Sequence, residues 1–359
     1  MNPRLQCLRS KLKAQNIEGM IVANPINIKY LTGIEAEGVL LLTRKENIYI
    51  TDSRYIEMVQ SIVTIEDEIV VMNVKNLTKE DYEGFFLFCE NVGFEEEYIT
   101  YAKYKECLHK YKINNFVETE HIIERQRVQK DSEEIENIRK ACELTDKCFE
   151  HLLGFIKVGM TEKEIAYEIE RYFIQNGATG LAFDPIVDSG INSSKPHAVP
   201  TDKTIQAGDI ITLDFGCKYN GYCSDMTRTI FVGYVQEYIK SIYDLVLKNQ
   251  EQILSQMYDG VNTKLLFKTV DNNFRNYRQE LVHALGHGVG LDVHEEPSIG
   301  LTTEKILREN MIVTNEPGIY IPGKFGVRIE DTVLITKTGN EVLTKSNKDY
   351  IIIENTKNT

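Results

Sequence analysis

The sequence has no tryptophan, and its basic residues are outnumbered by its acidic ones, 41 to 54, which gives a formal net charge of −13. This sign disfavours general binders of nucleic acid or of anionic membranes, because both classes need basic surface to meet phosphate groups. No run approaches the ~18 apolar residues of a membrane span. The first residues also lack the apolar core and cleavage pattern of a signal peptide. We therefore expect neither a membrane nor a nucleic acid as partner.

Cysteine is present without any regular spacing. The seven cysteines are odd in number and scattered, and no Cys-x-x-Cys pair occurs. A disulfide framework is therefore disfavoured, and the reducing cytoplasm is the expected location.

The length of 359 residues predicts two domains, at ~100–200 residues each. Strand-like and helix-like stretches alternate in the first third, which is typical of a small α/β domain. The chain turns polar and basic around 123–130, so we expect one domain over 1–125 and a second over 126–359. The strand-like runs are Gly19–Ala23, Val39–Thr43 and Asn47–Thr51, and the helix-like runs are 53–61 and 79–89.

The second domain is expected to combine three helices with glycine- and strand-rich sequence. A helical period begins after Asp131 or Ser132, either of which suits an N-cap. Thr161 and Glu164 form a capping box for a helix that runs to about Gln175. A further helical stretch covers about 237–257. The chain as a whole is therefore predicted to be of the mixed α/β (α+β) class.

A hairpin is predicted where Asn220 and Gly221 separate two β-type runs, because Asn-Gly favours the type I′ turn. With those two residues as the loop, Gly216 faces Asp225. Asp214 then shares a face with Asp225 as a diagonal neighbour, ~7–8 Å away. Two carboxylates on a partly apolar strand pair repel each other. They need protons, basic partners or a cation, unless both point to water.

The segment from His283 to Pro297 holds three histidines and three glycines. The glycines disfavour a helix and permit close backbone approach, which suits a residue presented into a site. Histidine is a common metal ligand and carries protons near neutral pH. His287 is therefore a candidate ligand, and ordinary hydrogen-bonded loop histidines are the alternative.

Two more carboxylates lie in the strand-like sequence near the C-terminus. Glu316 ends an apolar run just before a Pro-Gly pair. The run 326–335 is predicted to be one strand with Arg328 and Glu330 on the same face. A simple ion pair between these two residues would explain the same spacing. The opposite face would carry Val327, Ile329, Val333 and Ile335.

Together the second domain supplies four carboxylates and one imidazole: Asp214, Asp225, His287, Glu316 and Glu330. This set suits two divalent ions bridged by carboxylates and by a water or hydroxide, as in phosphatases, nucleases and aminopeptidases. The oxygen-rich ligands favour Mn(II), with Co(II), Fe(II) and Zn(II) as alternatives.

At these residues the sequence resembles the Xaa-Pro peptidase branch (aminopeptidase P and prolidase) of the methionine aminopeptidase-like, or pita-bread, metallopeptidases. The resemblance spans about residues 125–350, and the order of five blocks makes it specific. The first third resembles the creatinase-type N-terminal domain more weakly, through 29–33 and 49–54. The five blocks are DSGINSSKPHA (188–198), LDFGCKYNGYCSDMTRT (213–229), GHGVGLDVHEEP (286–297), NEPGIYIPG (315–323) and GVRIED (326–331).

The resemblance implies a role for each matched residue. Asp214 and Asp225 would ligate one metal, and His287 and Glu316 would hold the other together with Asp225. Glu330 would bridge both, and Glu316 would also take a proton from the nucleophilic water. The other implied catalytic residues are His197 and His294, which would contact substrate and stabilise the tetrahedral intermediate, His283, which would line the site, and Arg328, which would orient it.

The resemblance also implies the reaction and the fold. The reaction is hydrolysis of the Xaa-Pro bond at the N-terminus of short proline-containing peptides, with a metal-bridging hydroxide as nucleophile. The fold is a curved antiparallel pita-bread sheet flanked by helices, after a smaller α/β domain, and a homodimer is expected. A strict Xaa-Pro dipeptidase (prolidase) is the main alternative. The retained ligands disfavour a non-catalytic peptide-binding relative and a metal-free creatinase-like hydrolase, and the N-terminal domain disfavours a methionine aminopeptidase.

Three positions depart from the family pattern. Ala284 and Asn310 stand where glycine is common, and Asn315 stands where an apolar residue is usual. None of them removes a ligand. Asn315, beside Glu316, is the departure that bears on metal preference.

Overall fold

The computed structural model describes residues 2–65 and 68–354 and divides the chain into two compact units, Met1–Arg127 and Val128–Thr359. Both units combine helices with β-sheets, which confirms the expected fold class. No helix among the described residues is long and apolar enough to cross a bilayer.

The first unit is built on one six-stranded mixed sheet. Its strands are β1 (Gly19–Val22), β2 (Gly38–Leu42), β3 (Asn47–Thr51), β4 (Ile69–Asn73), β5 (Asn91–Phe94) and β6 (Asn115–Glu118). Their spatial order is β4-β3-β2-β1-β5-β6, and the two pairs that involve β2 are antiparallel while the others are parallel. The helices are α1 (Pro3–Ala14), α2 (Pro25–Thr32), α3 (Ile56–Ile62), α4 (Lys79–Gly84), α5 (Tyr101–Tyr111) and α6 (Glu124–Arg127), with a 3₁₀ turn at Val74–Asn76.

The second unit has four long helices and fourteen short strands among its described residues. The helices are α7 (Ser132–Phe155), α8 (Glu162–Gln175), α9 (Glu237–Leu254) and α10 (Thr263–Phe274), with 3₁₀ segments at Gly190–Ser194 and Arg275–Glu280. The strands are β7 (Gly180–Leu181), β8 (Ile186–Ser189), β9 (Ile210–Phe215), β10 (Cys217–Tyr219), β11 (Tyr222–Cys223), β12 (Met226–Val232), β13 (Gly286–Gly288), β14 (Glu295–Ile299), β15 (Ile312–Asn315), β16 (Gly318–Ile321), β17 (Phe325–Arg328), β18 (Asp331–Ile335), β19 (Asn340–Val342) and β20 (Ile352–Ile353).

Two helix–sheet halves make up this second unit. In the first half, α7 and α8 pack on a four-stranded sheet of order β20-β12-β9-β8, and in the second half α9 and α10 pack on a five-stranded sheet of order β14-β13-β15-β18-β19. Each half has its own apolar core between helices and sheet. Because side chains alternate along a strand, the residues between the core-facing ones point to the helix-free face. This arrangement matches the expected pita-bread fold.

The predicted Asn-Gly hairpin is confirmed, together with its register. Asn220 and Gly221 have φ of 50° and 85°, as the type I′ turn requires. The pairing set by the turn continues into the long β9–β12 ladder, where Asp214 lies opposite Thr227. At Gly216 a Cβ atom would lie 1.9 Å from the backbone oxygen of Ser224, so this position must be glycine for the strands to approach.

The prediction of one continuous strand over 326–335 is wrong. The chain forms β17 and β18 in two different sheets, with Ile329 and Glu330 between them. The break arises because the Glu330 amide donates to the backbone oxygen of Thr227 in β12, 3.1 Å away, instead of continuing the β17 ladder. The predicted apolar face survives the break, since Val327, Ile329, Val333 and Ile335 all pack in the second core.

The helix starts at Asp131 and Thr161 follow the capping predictions. The Asp131 side chain accepts from the amides of Glu133 and Glu134, and Thr161 forms a reciprocal capping box with Glu164. The sequence reasoning missed α10, whose asparagine and β-branched residues lower its helix propensity. Tertiary packing overrides that propensity. Its buried residues recur at helical spacing: Thr263, Leu266, Phe267, Val270 and Phe274.

Candidate metal centre

Two carboxylates enter the site from the first half of the second unit. Asp214 lies on β9 between Leu213 and Phe215, which pack in the core, so its side chain points to the helix-free face. Asp225 follows the hairpin and lies just before β12. Both are buried, at 8% and 4% exposure. Buried carboxylates of this kind need a compensating cation, proton or hydrogen-bond donor.

The second half contributes His287, Glu316 and Glu330. His287 lies on β13 between two glycines, and a Cβ at Gly286 would lie 2.1 Å from the backbone oxygen of Thr314. At Gly288 it would lie 2.2 Å from a backbone oxygen of Glu296. The glycines therefore let β13 lie close to its neighbours, and the amide of His287 donates to the Thr314 hydroxyl at 3.0 Å.

These side chains converge on one another. The Nε2 atom of His287 is 3.6 Å from Oδ2 of Asp225 and 3.4 Å from Oε1 of Glu316. Ligand atoms of Asp225, His287 and Glu330 all lie within 4.8 Å of one another. The five candidate ligands named from the sequence thus come from both halves of the unit, and the three that cluster most tightly include one from the first half.

The donor set fits a bound cation. Nδ1 of His287 lies 3.1 Å from the backbone oxygen of Gly288, and a proton on Nδ1 leaves Nε2 as a lone pair facing carboxylates. Oδ1 of Asp214 is buried and has no hydrogen-bond partner among the described residues. Lone pairs that face one another without donors are stabilised by a cation between them. The predominance of oxygen suits a divalent ion.

Burial raises the pKa values of the acids in the cluster and lowers that of His287, so it favours the uncharged form of each group. Burial, and then the charge of Glu330, raises the pKa of Asp225 well above its ordinary value. Burial and the charge of Glu316 do the same to the pKa of Glu330. Burial raises the pKa of Glu316 to about 8 and lowers the pKa of His287 to about 4. The folded protein therefore holds a concentrated set of acidic groups that a cation would stabilise as anions.

Arg328 is the cation that contacts this cluster from β17. Its Nη2 donates to Oδ2 of Asp214 at 2.6 Å, and its Nε donates to the hydroxyl of Thr227 at 3.0 Å. Its Nη1 donates to the hydroxyl of Tyr320 at 2.5 Å and to the backbone oxygen of Pro196 at 3.2 Å. All three nitrogens of the guanidinium group therefore donate hydrogen bonds, which suits a residue that orients the side chains around it.

Sequence reasoning missed two residues of this network. Tyr320 is buried, and its hydroxyl lies 2.9 Å from Nε2 of His283, so it joins that histidine to Arg328. Thr227 donates through its hydroxyl to Oε2 of Glu330 at 2.6 Å. The hairpin register could have identified Thr227, because it lies directly opposite Asp214. Tyr320 had no comparable signal, because Arg328 lies across the β16–β17 hairpin, which was not predicted, and His283 is 37 positions away.

The three remaining candidate histidines differ in their surroundings. Nδ1 of His283 lies 3.7 Å from Oε2 of Glu316, and burial, together with Arg328, lowers the pKa of His283 to about 4. The ring of His294 is centred 4.3 Å from that of His287. His197 is exposed and follows Pro196, which accepts a hydrogen bond from Arg328. His283 and His294 are therefore in direct contact with the cluster residues, whereas His197 is joined to them through its chain neighbour.

Asn315 is turned away from the cluster. Its side-chain amide donates to the backbone oxygen of Gln250 in α9 at 2.9 Å, on the helix-covered side of the sheet. Its neighbours Thr314 and Glu316 point to the opposite face, where their side chains lie 3.3 Å apart. A direct contact of Asn315 with a bound metal is therefore excluded by this geometry.

Comparison with known proteins adds an independent finding. The family model of metallopeptidase family M24 matches residues 136–337, and that of the creatinase/prolidase N-terminal domain matches residues 4–129. The Xaa-Pro dipeptidase of Pyrococcus horikoshii is 36% identical over 358 residues, covering 98% of this chain and 99% of its own length. The structure of an Xaa-Pro dipeptidase from Bacillus anthracis superposes with a TM-score of 0.91 at 36% identity, covering 97% of this chain and 99% of that one. The X-Pro aminopeptidase of Thermotoga maritima gives a TM-score of 0.87 at 32% identity, covering 96% and 100%.

Proposed function

The chain belongs to metallopeptidase family M24, and we propose that it hydrolyses the peptide bond before proline at the N-terminus of short peptides. The observation that carries the proposal is the convergence of Asp225, His287 and Glu330 within 4.8 Å, beside the buried carboxylate of Asp214 and the half-buried carboxylate of Glu316. The names of the similar proteins, Xaa-Pro dipeptidase and X-Pro aminopeptidase, support the substrate class.

Two divalent ions would be held by the five ligands. Asp214 and Asp225 would hold one ion, and His287 and Glu316 would hold the other with Asp225, while Glu330 would bridge both. When bound, the ions would supply Lewis acidity to the substrate carbonyl and lower the pKa of a water molecule.

The chain's own side chains would then orient the substrate and move protons. The carboxylate of Glu316 accepts a proton from the attacking water and returns it to the proline nitrogen as that bond breaks. His294 and His197 donate hydrogen bonds to the carbonyl oxygen as it becomes negative. Arg328 orients Asp214 by donating a hydrogen bond of 2.6 Å to its carboxylate.

Proline suits selection by shape. Its ring fixes φ near −65°, and its nitrogen carries no amide hydrogen when it is in a peptide bond. A preformed site can therefore select Xaa-Pro without an acceptor for that hydrogen. Such a site is rigid here, because its ligands lie on or next to paired strands in both halves of the unit.

Substrate length is tested with matched peptides. We expect the metal-loaded protein to cleave both Gly-Pro and Gly-Pro-Pro, and to cleave Gly-Ala and Gly-Ala-Ala at least ~10²-fold more slowly, because the last two lack the proline ring. The rate of glycine release, monitored by chromatography, measures the cleavage of all four peptides. Cleavage of Gly-Pro alone would make the protein a strict dipeptidase. Absence of cleavage of either proline peptide by protein with both ions bound would contradict the proposal.

We propose Mn(II) as the native metal, since four of five ligands are carboxylates. After chelation and reloading with a single metal, we expect Mn(II) to give the highest rate of Gly-Pro hydrolysis, with Co(II), Fe(II) and Zn(II) giving lower rates. Mg(II) serves as a control of the same charge that binds imidazole poorly. A higher rate with Zn(II) than with Mn(II), at equal metal content, would argue against this choice.

The state of the cysteines bears on the cellular compartment. All seven cysteines are free thiols, and six of them are buried, which agrees with a reducing compartment. A cytoplasmic location and a homodimer stay predictions.

A further inference from the structure

The segment that carries His197 is held at both ends by a single buried carboxylate. This segment, residues 189–201, joins β8 to the chain before β9. Oε1 of Glu162 accepts from the amide and the hydroxyl of Ser189, at 2.8 and 2.7 Å. Oε2 accepts from the amide and the hydroxyl of Thr201, at 3.0 and 2.6 Å. The side-chain amide of Asn192 lies 3.1 and 3.2 Å from the two oxygens.

The position of Glu162 at the start of α8 explains how a fully buried carboxylate stays charged. The residue is 0% exposed, and burial acts to raise its pKa, but the hydrogen bonds from Thr201, Ser189 and Asn192 outweigh burial and hold the pKa below its ordinary value. The first turn of a helix also favours negative charge. The amide of Lys163 donates to the backbone oxygen of Thr201 at 3.3 Å, and the amide of Glu162 donates to that of Lys203 at 3.1 Å. The start of α8 is therefore hydrogen-bonded to the end of segment 189–201 and to the chain just after it.

The middle of segment 189–201 meets the candidate metal centre. The hydroxyl of Ser193 accepts from the amide of Gly326 at 2.9 Å, and the backbone oxygen of Pro196 accepts from Arg328 at 3.2 Å. A Cβ at Gly326 would lie 2.1 Å from the backbone oxygen of Ser193, so the segment is tightly packed against β17. His197 is the next residue after Pro196. Its position therefore depends on two supports, Glu162 on one side and β17 on the other.

We propose that Glu162 is a positioning residue of the hydrolytic reaction, which fixes segment 189–201 so that His197 reaches the substrate. This inference rests on the proposed function. Removal of the carboxylate charge leaves buried donors of Ser189 and Thr201 without an anionic acceptor, so the segment must rearrange. Displacement of a catalytic group by about 1 Å can reduce turnover ~10²-fold. Because His197 is assigned to the developing oxyanion, kcat should fall while KM changes little.

The test compares Glu162→Gln with Glu168→Gln, on the same helix. Glu168 is also buried, but its carboxylate binds Arg171 (2.7 Å) and His151 (2.5 Å). We expect Glu162→Gln to lower kcat for Gly-Pro ~10²-fold, to leave KM and metal content unchanged, and to speed hydrogen exchange in residues 189–201. Glu168→Gln should do none of these. Thr201→Val, which removes one hydroxyl donor, should act in the same direction more weakly, and it serves if Glu162→Gln does not fold.

A double-mutant cycle separates positioning from a general effect on the fold. In a His197→Ala background, Glu162→Gln should lower kcat by less than ~2-fold, because the residue through which it acts is already gone. Three outcomes would overturn the proposal. Glu162→Gln could lower kcat equally in both backgrounds, it could lose metal, or it could speed hydrogen exchange in residues 189–201 without changing kcat. If the unaltered protein cleaves no Xaa-Pro peptide, the proposed function is wrong, and so is the expected effect of Glu162 on kcat. The hydrogen-exchange measurement still decides whether Glu162 holds segment 189–201 in place.

Discussion

Asp225→Asn is expected to abolish hydrolysis and, at the same time, to make the metal-free protein more stable. Asp225, like Glu330, is a proposed ligand of both ions, and loss of a shared ligand removes Lewis acidity worth several kcal/mol, or at least ~10³-fold in kcat/KM. The free energy of unfolding of the metal-free protein, in contrast, should increase. Burial and the neighbouring Glu330 raise the pKa of Asp225 well above its ordinary value, so its ionised form destabilises the folded state without metal.

Three measurements at pH 8 on the variant and the unaltered protein check this expectation. They are the rate of Gly-Pro cleavage, the metal content per chain, and the melting temperature after chelation. Glu341→Gln is the matched control, because Glu341 pairs with Arg139 outside the cluster and is partly exposed. The control should keep both metal and activity. An Asp225→Asn protein that retains two metals and hydrolyses Gly-Pro at the original rate would remove Asp225 from the ligand set.

Chelation is expected to lower the melting temperature by ~10 °C at pH 8, and by more as the pH rises. At a metal concentration of 100 times Kd, each site adds about 2.7 kcal/mol, so two sites add about 5 kcal/mol. For a unit of this size, each kcal/mol corresponds to ~2–4 °C. These contributions are lost when the metal is removed.

The pH dependence follows from the acids, since His283 and His287 are neutral in the folded protein above pH 7. Burial raises the pKa of Glu316 to about 8, against ~4.3 in an unfolded chain. A group with a raised folded pKa stabilises the fold at low pH, and that stability is lost as the pH rises through the folded pKa. Burial lowers the pKa of His283 and His287 to about 4, so between pH 7 and 9 they are neutral in the folded protein, and they are mostly neutral in the unfolded chain, where the pKa is ~6.5.

The metal-free protein should therefore lose stability steadily from pH 7 to 9, while the metal-loaded protein, whose carboxylates are already ionised, should change much less. Calorimetry of both forms at pH 7, 8 and 9 measures the difference. Glu316→Gln should reduce the slope of the metal-free form between pH 7 and 8, which assigns that part of the effect to Glu316, while Asp225 and Glu330 account for the remainder. A melting temperature that is the same with and without metal at all three pH values would contradict the assignment of these carboxylates as ligands.

Features that are controlled by local interactions were predictable from the sequence, and features that are controlled by distant contacts were not. The Asn220-Gly221 turn sets a register by its own backbone geometry, and that register correctly placed Asp214 relative to the β12 strand. The capping boxes at Asp131 and Thr161 are equally local. The break at Glu330 was not predictable, because its amide is satisfied by Thr227, more than one hundred positions away along the chain.

The candidate site shows the same division. The family blocks contain all five candidate ligands, and the structure brings three of them within 4.8 Å. The support around them comes from tertiary contacts. Tyr320 links His283 to Arg328 by hydrogen bonds, and Glu162 accepts a hydrogen bond from Thr201. Neither hydrophobic periodicity nor motif spacing predicts these contacts. A sequence therefore reveals reactive groups more readily than the residues that hold them in place.

The division of the ligands between the two helix–sheet halves has a consequence for assembly of the enzyme. Asp214 and Asp225 belong to the first half, and His287, Glu316 and Glu330 belong to the second. Neither half alone carries the complete set of proposed ligands, so the two ions held by these five residues would link two pieces of chain that have separate cores. Metal content would thus indicate whether both halves are folded and joined, and a chain damaged in either half should lose its ions.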